Sequence, residues 1–148
     1  TYPVSAVLCD THIMEVIQPG QHGSTYGGNP FAASIAKKSL EIIVEEKLPE
    51  NAERLGEIFR YNINQYIKTS KIIKLVRGKG LLNAIVINDT PDSKTAWNIC
   101  LKLRDNGLLA KPTRGNVIRF APPLVMTEDQ LLDCIKIITS TIKEFEPK

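Results

Sequence analysis

The sequence is poor in cysteine, in aromatic residues and in excess charge of either sign. Three cysteines, Cys9, Cys100 and Cys134, occur among 148 residues, and no two of them are closely spaced. An odd number at long spacings disfavours both a disulfide framework and a zinc site. The pattern instead predicts a reducing, intracellular compartment.

Charge and hydropathy exclude two further classes of partner. The formal net charge is only +3, and acidic residues are interspersed among the lysines and arginines. Because no basic stripe with interleaved aromatic residues is present, we expect no nucleic-acid partner. No apolar run approaches the ~20 residues that span a bilayer, so we expect no membrane partner. The length suits about one domain with a sizeable core.

What the sequence does contain is a cluster of glycines, in the stretch GQHGSTYGGNP at residues 20–30. Its spacing matches neither a Walker loop nor a dinucleotide-binding fingerprint. Ser24 and Thr25 nevertheless supply two hydroxyl groups, and the glycines beside them let an anion approach the backbone. The stretch is either a phosphate-binding loop or a plain solvated turn. His12 and His22 have no further ligand nearby, so we predict no metal site.

One basic residue, Arg119, lies inside the otherwise apolar stretch VIRFAPP at residues 117–123. An unpaired guanidinium is costly to bury, so Arg119 needs a partner. A substrate carboxylate, held by both prongs of the guanidinium, is one candidate. The alternatives are an internal salt bridge and an edge strand from which Arg119 faces solvent. The stretch RGKG at 77–80 is more typical of a tight turn than of a phosphate site, and Lys111 is assigned no catalytic role.

Hydrophobic periodicity and capping signals predict the order of elements. Residues 4–9 are expected to form a short, mostly buried strand, followed by a helical turn that contains Ile13 and Val16. A long helix begins at Asn29-Pro30. Beyond it, the expected elements are a helix over 49–67, strands over 72–76 and 81–87, a helix from 90, a strand over 108–111, a turn over 112–116, a strand over 117–121 and a helix capped by Thr127. The strand over 81–87 is expected to be central and covered on both faces.

From residue 49 onward this order describes an α+β domain, in which a small, mostly antiparallel sheet has helices on one side. Residues 1–28 fall outside the pattern and are expected to be the edge of a different, larger domain. The helix after Pro30 would connect the two.

Four segments taken together resemble the C-terminal part of the class III aminotransferases, which are pyridoxal-phosphate enzymes of fold type I. The segments are HGSTYGGNP at 22–30, VRGKGLLNAIV at 76–86, LRDNGLLAKPT at 103–113 and VIRFAPPL at 117–124. Within the class, the pattern is most similar to the ornithine aminotransferase family. The resemblance covers nearly the whole chain. It implies an α/β fold in which 1–28 end the large cofactor-binding domain, 29–48 form a connecting helix, and 49–148 form the small α+β domain.

The resemblance also implies roles for individual residues. Ser24 and Thr25 would contact the phosphate of pyridoxal 5'-phosphate bound in the neighbouring subunit of a homodimer. Arg119 would pair with a carboxylate of the amino acid or 2-oxo acid substrate. The implied reaction transfers the δ-amino group of ornithine to 2-oxoglutarate and gives glutamate 5-semialdehyde and glutamate. We expect the cytoplasm as the compartment, with the mitochondrial matrix as the alternative.

The resemblance places the family's Schiff-base lysine upstream of the position that matches Thr1. None of Lys79, Lys94 and Lys111 stands at a matching position, so we expect no catalytic residue in this chain and no transaminase activity from residues 1–148 alone. Two other interpretations remain open. One is another class III enzyme, of the acetylornithine or 4-aminobutyrate type, and the other is a non-catalytic α+β module that binds an anion.

Overall fold

The computed structural model describes residues 4–147, which contain five helices and four strands. In chain order they are α1 Thr11–Met14, α2 Pro30–Glu45, α3 Leu48–Ile67, β1 Ile73–Lys79, β2 Leu82–Ile87, α4 Thr95–Asp105, β3 Lys111–Thr113, β4 Val117–Phe120 and α5 Glu128–Lys143. The chain divides into two compact units, the first ending at Glu46 and the second beginning at Lys47.

The first unit consists of α1, the glycine-rich loop and α2. The side chain of Asn29 caps α2 as predicted, because its Oδ1 accepts the backbone N–H groups of Phe31 and Ala32 at 3.0 and 3.1 Å. The helical turn predicted before Pro19 is present in part as α1, which contains Ile13 but ends at Met14, before Val16. The buried strand predicted over 4–9 is wrong, since the described residues 4–9 are exposed and outside any strand. A strand needs a hydrogen-bonding partner, and no other strand lies in the described part of this unit.

The second unit has the predicted order of helix, strand, strand, helix, strand, strand, helix. Its four strands form one sheet in the order β1-β2-β4-β3, and every neighbouring pair is antiparallel. The helix α5 packs against α3 and α4, and these two helices contact the strands, so the core lies between the helices and one face of the sheet. Residues that are completely inaccessible to solvent anchor this core, among them Leu55, Ile85, Ile118 and Ile142.

The strand β2 is central, as predicted, but only one of its faces is fully covered. Asn83, Ile85 and Ile87 are buried toward the helices, whereas Ala84 and Val86 are half-buried and Leu82 is 59% exposed. The expectation of two covered faces is therefore wrong for the described residues, and the face of the sheet opposite the helices is open in this chain.

The elements α4 and β3 begin three or more residues later than predicted. The helix α4 begins at Thr95 instead of residue 90, since the Asp89 carboxylate accepts hydrogen bonds from the hydroxyls of Ser93 and Thr95, both at 2.6 Å, and holds a turn there. These bonds lower the pKa of Asp89 below its usual value. The strand β3 covers Lys111–Thr113 instead of 108–111.

The turn between β3 and β4 requires glycine at position 115. Gly115 has a φ of +72°, and a Cβ atom placed there would lie 1.6 Å from the carbonyl oxygen of Pro91. Because only glycine avoids both problems, this position fixes the hairpin and with it the register of β3 against β4.

The three cysteines are free thiols, and Cys100 is buried in the core. Burial raises the pKa of the Cys100 thiol to about 11, so the group stays neutral and packs as a small apolar side chain. No helix within residues 4–147 has the length and apolar character needed to cross a membrane.

Candidate functional site

Two hydrogen bonds, one to the side chain and one to the backbone of Ser24, organise the glycine-rich loop of the first unit. The Ser24 hydroxyl accepts the Tyr26 N–H at 3.3 Å, and the Ser24 carbonyl accepts the Gly27 N–H at 3.1 Å. Gly28 then adopts a φ of +72°, which leads the chain into the cap of α2. The Ser24 hydroxyl still has its own proton to donate to a ligand.

An open pocket of about 700 Å³ lies beside this loop. It is lined by Val4, Ser5, His22, Ser24, Tyr26, Gly27, Gly28, Asn29, Ala32 and Ala33. No carboxylate is among these residues, and the N-terminus of the long helix α2 adds partial positive charge. The chemistry of the pocket therefore suits an anion such as a phosphate.

The Thr25 side chain is exposed at the tip of the loop. Its hydroxyl makes no hydrogen bond to any other residue in the described range 4–147. Unlike Ser24, Thr25 does not line the pocket. The two residues predicted as cofactor ligands are therefore neighbours in the loop, but only Ser24 lines the pocket.

Arg119 belongs to the second unit and stands on β4, between the buried side chains of Ile118 and Phe120. Strand alternation turns it to the opposite face of the sheet, where it is exposed. It makes no ion pair with any other described residue. Of the alternatives left open by the sequence, the internal salt bridge is thus absent among residues 4–147, and the guanidinium remains available to a carboxylate.

The sheet register places two further cations beside Arg119. Lys111 on β3 lies directly opposite Arg119, and Ala84 on β2 lies opposite it on the other side. Ala84 in turn lies opposite Arg77 on β1. Directly opposed residues share a face, so Arg77, Ala84, Arg119 and Lys111 form one row across the open face, called the cationic row below.

The prediction that RGKG at 77–80 is a tight turn is wrong for three of its four residues, because Arg77, Gly78 and Lys79 belong to β1 and pair with β2, and only Gly80 lies in the turn. Lys79 is paired with Glu53 at 3.0 Å, and the Gly80 carbonyl accepts a hydrogen bond from Arg60 at 3.1 Å. The nearby Lys79 also lowers the pKa of Glu53. These partners give Lys79 and Gly80 a structural role, and Arg77 is the motif's free cation within the described residues.

The cationic row was not predicted from the sequence, because Lys111 was placed at the end of a strand over 108–111 and not in a hairpin with Arg119. A signal for it does exist. The tight turn over residues 114–116 is centred on Gly115, and counting outward from that glycine pairs Thr113 with Val117 and Lys111 with Arg119. Thr113 shares the face of Lys111, and its Oγ1 is a buried atom without a hydrogen-bond partner among the described residues.

No group of three or more His, Cys, Asp or Glu side chains in the described residues 4–147 is arranged to hold a metal ion.

Comparison with known proteins gives a family match over most of the chain. Residues 1–142 match the model of the family described as "Aminotransferase class-III". The chain is 56% identical to "Ornithine aminotransferase, mitochondrial" of Rattus norvegicus over 144 residues, which are 97% of this chain and 32% of the relative. This match confirms the resemblance seen in the four sequence segments.

Solved structures give the same fold. An acetylornithine aminotransferase from Elizabethkingia anophelis is 63% identical, with a TM-score of 0.87, over 93% of this chain and 34% of that one. An ornithine aminotransferase from Plasmodium yoelii is 48% identical, with a TM-score of 0.86, over 94% of this chain and 36% of that one. The chain thus spans about a third of the length of these relatives, and the expected aminotransferase fold is confirmed.

Proposed function

Because the chain belongs to the class III aminotransferase family, we propose that the full-length protein is an ornithine aminotransferase that depends on pyridoxal phosphate. It transfers the δ-amino group of ornithine to 2-oxoglutarate. The observation that carries the proposal is the exposed, unpaired guanidinium of Arg119 in a chain 56% identical to a named ornithine aminotransferase.

Arg119 binds a substrate carboxylate. Its planar guanidinium presents donors in a fixed fork that matches the two oxygens of a carboxylate, so the pair fixes the orientation of the substrate as well as its position. Strand β4 holds the Cα of Arg119 between two buried neighbours, Ile118 and Phe120, and this rigid support limits the positions that the guanidinium can reach.

Ser24 and Thr25 serve the cofactor phosphate. Ser24 lines a pocket with no carboxylate among its lining residues, and Thr25 is exposed beside it with a hydroxyl that has no partner among residues 4–147. This division supports a homodimer in which the loop of one subunit reaches the phosphate held by the other. When bound, pyridoxal phosphate supplies the electron sink for the reaction, and these residues of the chain only hold and orient it.

In the full-length enzyme, residues 1–28 are the end of the large cofactor-binding domain, 29–48 are the connecting helix and 49–148 are the small domain. The lysine that bonds the cofactor lies outside this chain, so residues 1–148 alone have no transaminase activity. The compartment is the cytoplasm or the mitochondrial matrix, and the relatives from Rattus norvegicus and Drosophila melanogaster are named as mitochondrial.

The test uses the purified full-length protein. We expect it to show the visible absorption of bound pyridoxal phosphate and to turn over ornithine with 2-oxoglutarate as acceptor. A colourless protein that cannot be reconstituted with the cofactor would support a non-catalytic anion-binding module instead.

A second candidate function has one specific observation in its favour, the 63% identity to the structure of an acetylornithine aminotransferase from Elizabethkingia anophelis. The two functions differ in whether the α-amino group of the substrate is free or acetylated. Comparing kcat/KM for ornithine and N-acetylornithine in the same preparation separates them, and the ornithine proposal requires the larger value for ornithine.

A further inference from the structure

The cationic row brings three positive charges together on one face of the sheet, and no ion pair within residues 4–147 stabilises them. Arg77, Arg119 and Lys111 are all exposed, and none of them makes an ion pair with another described residue. By contrast, Lys79, two residues farther along the same strand, forms an ion pair with Glu53.

Lys111 and Arg119 are in direct cross-strand register. Directly opposed residues of an antiparallel pair have Cα atoms only about 5 Å apart, and like charges in such pairs destabilise the sheet. A neutral or acidic residue at position 111 would remove that repulsion. The pairing is therefore unfavourable for the sheet alone, and an anion bound above it would offset the repulsion.

One position of the cationic row, Ala84, carries no charge and only a small side chain. Ala84 separates Arg77 from Arg119, and its methyl group is the smallest side chain in the row. The flanking residues on this face, Leu82 and Val86, are apolar. A small anion bound by Arg119 therefore has Lys111 directly beside it, and Arg77 is farther away on the other side of Ala84.

We propose that Lys111, supported by Arg77, determines the charge selectivity of the carboxylate site formed by Arg119, so that the site favours dicarboxylate substrates over substrates with one carboxylate. This inference rests on the proposed function of Arg119. Lys111 acts here as a specificity-determining residue, not as a catalytic amine.

The two substrates of the proposed reaction differ in charge and in their number of carboxylates, and the positive charge of the cationic row acts on both. 2-Oxoglutarate and glutamate each carry two carboxylates, whereas ornithine carries one carboxylate and two ammonium groups. A positive potential at the site therefore stabilises the acceptor and its product, and it disfavours the diamino acid. Lys111 accordingly sets the balance between the two half-reactions.

The test measures equilibrium binding of unreactive substrate analogues to the full-length holoenzyme by calorimetry. The probes are glutarate and pentanoate, which have the same chain length but two carboxylates and one, respectively. We expect Lys111→Gln to weaken glutarate binding about fivefold, as for a partly solvated charge pair, and to leave pentanoate nearly unchanged. Arg77→Gln is expected to act in the same direction with a smaller effect, because Ala84 lies between it and Arg119.

Two control variants separate charge from structure. Lys111→Arg keeps the charge and should retain the preference for glutarate. Lys136→Gln removes an exposed lysine of α5 that is paired with Asp133 at 2.9 Å, and it should change neither affinity. In addition, the preference of the unmodified enzyme for glutarate should decline as salt is raised, since salt screens exposed charges.

Equal affinity for glutarate and pentanoate in the unmodified enzyme would overturn the proposal. So would a Lys111→Gln variant with unchanged glutarate affinity, the result expected if carboxylates elsewhere in the full-length protein neutralise the row. Failure of the proposed function has a different signature, namely no transfer from ornithine to any acceptor, and the glutarate measurement remains interpretable in that case.

Discussion

Arg119 contributes little to folding in this structure, so its replacement tests ligand binding directly. The side chain is exposed and unpaired among residues 4–147. We expect Arg119→Lys to raise KM for 2-oxoglutarate about tenfold or more, because an ammonium group cannot form the two-pronged pair. The melting temperature should stay within a degree or so of the original, since exposed substitutions away from special features cost little.

The control for that variant is Arg104→Lys. Arg104 is a half-exposed arginine that contacts only its chain neighbour Asp105 within the described residues. If both arginine variants raise KM to the same extent, the effect of Arg119 is not specific and its role as a carboxylate ligand is wrong.

Thr25 offers the corresponding test of the cofactor site. Its hydroxyl has no partner among residues 4–147, so Thr25→Ala removes no hydrogen bond from the described fold. A hydrogen bond to a charged phosphate contributes about 1.5–3 kcal/mol, and we expect the dissociation constant of pyridoxal phosphate to rise about tenfold or more. The weaker binding is measured as faster loss of pyridoxal phosphate during dialysis, with the visible absorbance of the protein as the readout.

Ser39→Ala is the matched control for Thr25→Ala. The Ser39 hydroxyl in α2 donates only to the Ile35 carbonyl of its own helix, at 2.8 Å. Cofactor retention that is unchanged in both variants would contradict a phosphate contact by Thr25.

The hairpin between β3 and β4 holds Lys111 against Arg119, and one glycine decides whether it can form. Gly115→Ala would put a methyl group against the Pro91 carbonyl and would force an alanine into the left-handed region. Gly107→Ala is the control, because Gly107 also has a positive φ, +85°, but nothing lies within 4 Å of its would-be Cβ. Left-handed strain alone costs roughly 1–2 kcal/mol.

We therefore expect Gly115→Ala to lower the melting temperature clearly more than Gly107→Ala does, with calorimetry of the full-length protein as the measurement. Equal decreases in melting temperature for the two variants would mean that the close approach of Gly115 to Pro91 is not maintained in solution.

These elements also show which features a sequence can predict. The cap of α5 was predictable because it is local: the hydroxyl of Thr127 accepts the Gln130 N–H, and the Gln130 side chain accepts the Thr127 N–H. The same holds for Asn29 at α2. Each signal lies within three residues of the helix start, and each was found where it was predicted.

The expectations that failed depend on distant parts of the chain. An apolar run such as residues 4–9 forms a strand only when another strand is available to pair with it. The cationic row likewise depends on the pairing of four strands, so composition around Lys111 alone could not reveal it. Arg119 was identified from the sequence because a single charge within an apolar run stands out however the strands pair.

The two units differ greatly in how much apolar surface they bury. The second unit contains nearly all of the buried core, whereas Ala32 is the only buried residue described in the first. Large apolar side chains of the first unit are exposed, with Leu8 at 95%, Val7 at 80% and Val44 at 75%. Exposed apolar surface of this kind marks an interaction site, which agrees with a chain that spans a third of its relatives.

This contrast predicts the outcome of limited proteolysis on residues 1–148. Protease should cut within the first unit and leave a protected fragment that begins near Lys47, because the second unit has its own core. Mass spectrometry of the fragments identifies the cut sites. Early cleavage inside β2 or α5 would contradict an independently stable second unit.

We propose that the full-length protein moves the δ-amino group of ornithine, and a labelling experiment tests this transfer most directly. Ornithine carrying isotopic nitrogen only at the δ position is incubated with 2-oxoglutarate, the full-length enzyme and pyridoxal phosphate, and the products are analysed by mass spectrometry. We predict that the label appears in the amino group of glutamate, together with unlabelled glutamate 5-semialdehyde. Label that stays in ornithine, or glutamate that acquires nitrogen only from α-labelled ornithine, would contradict the account.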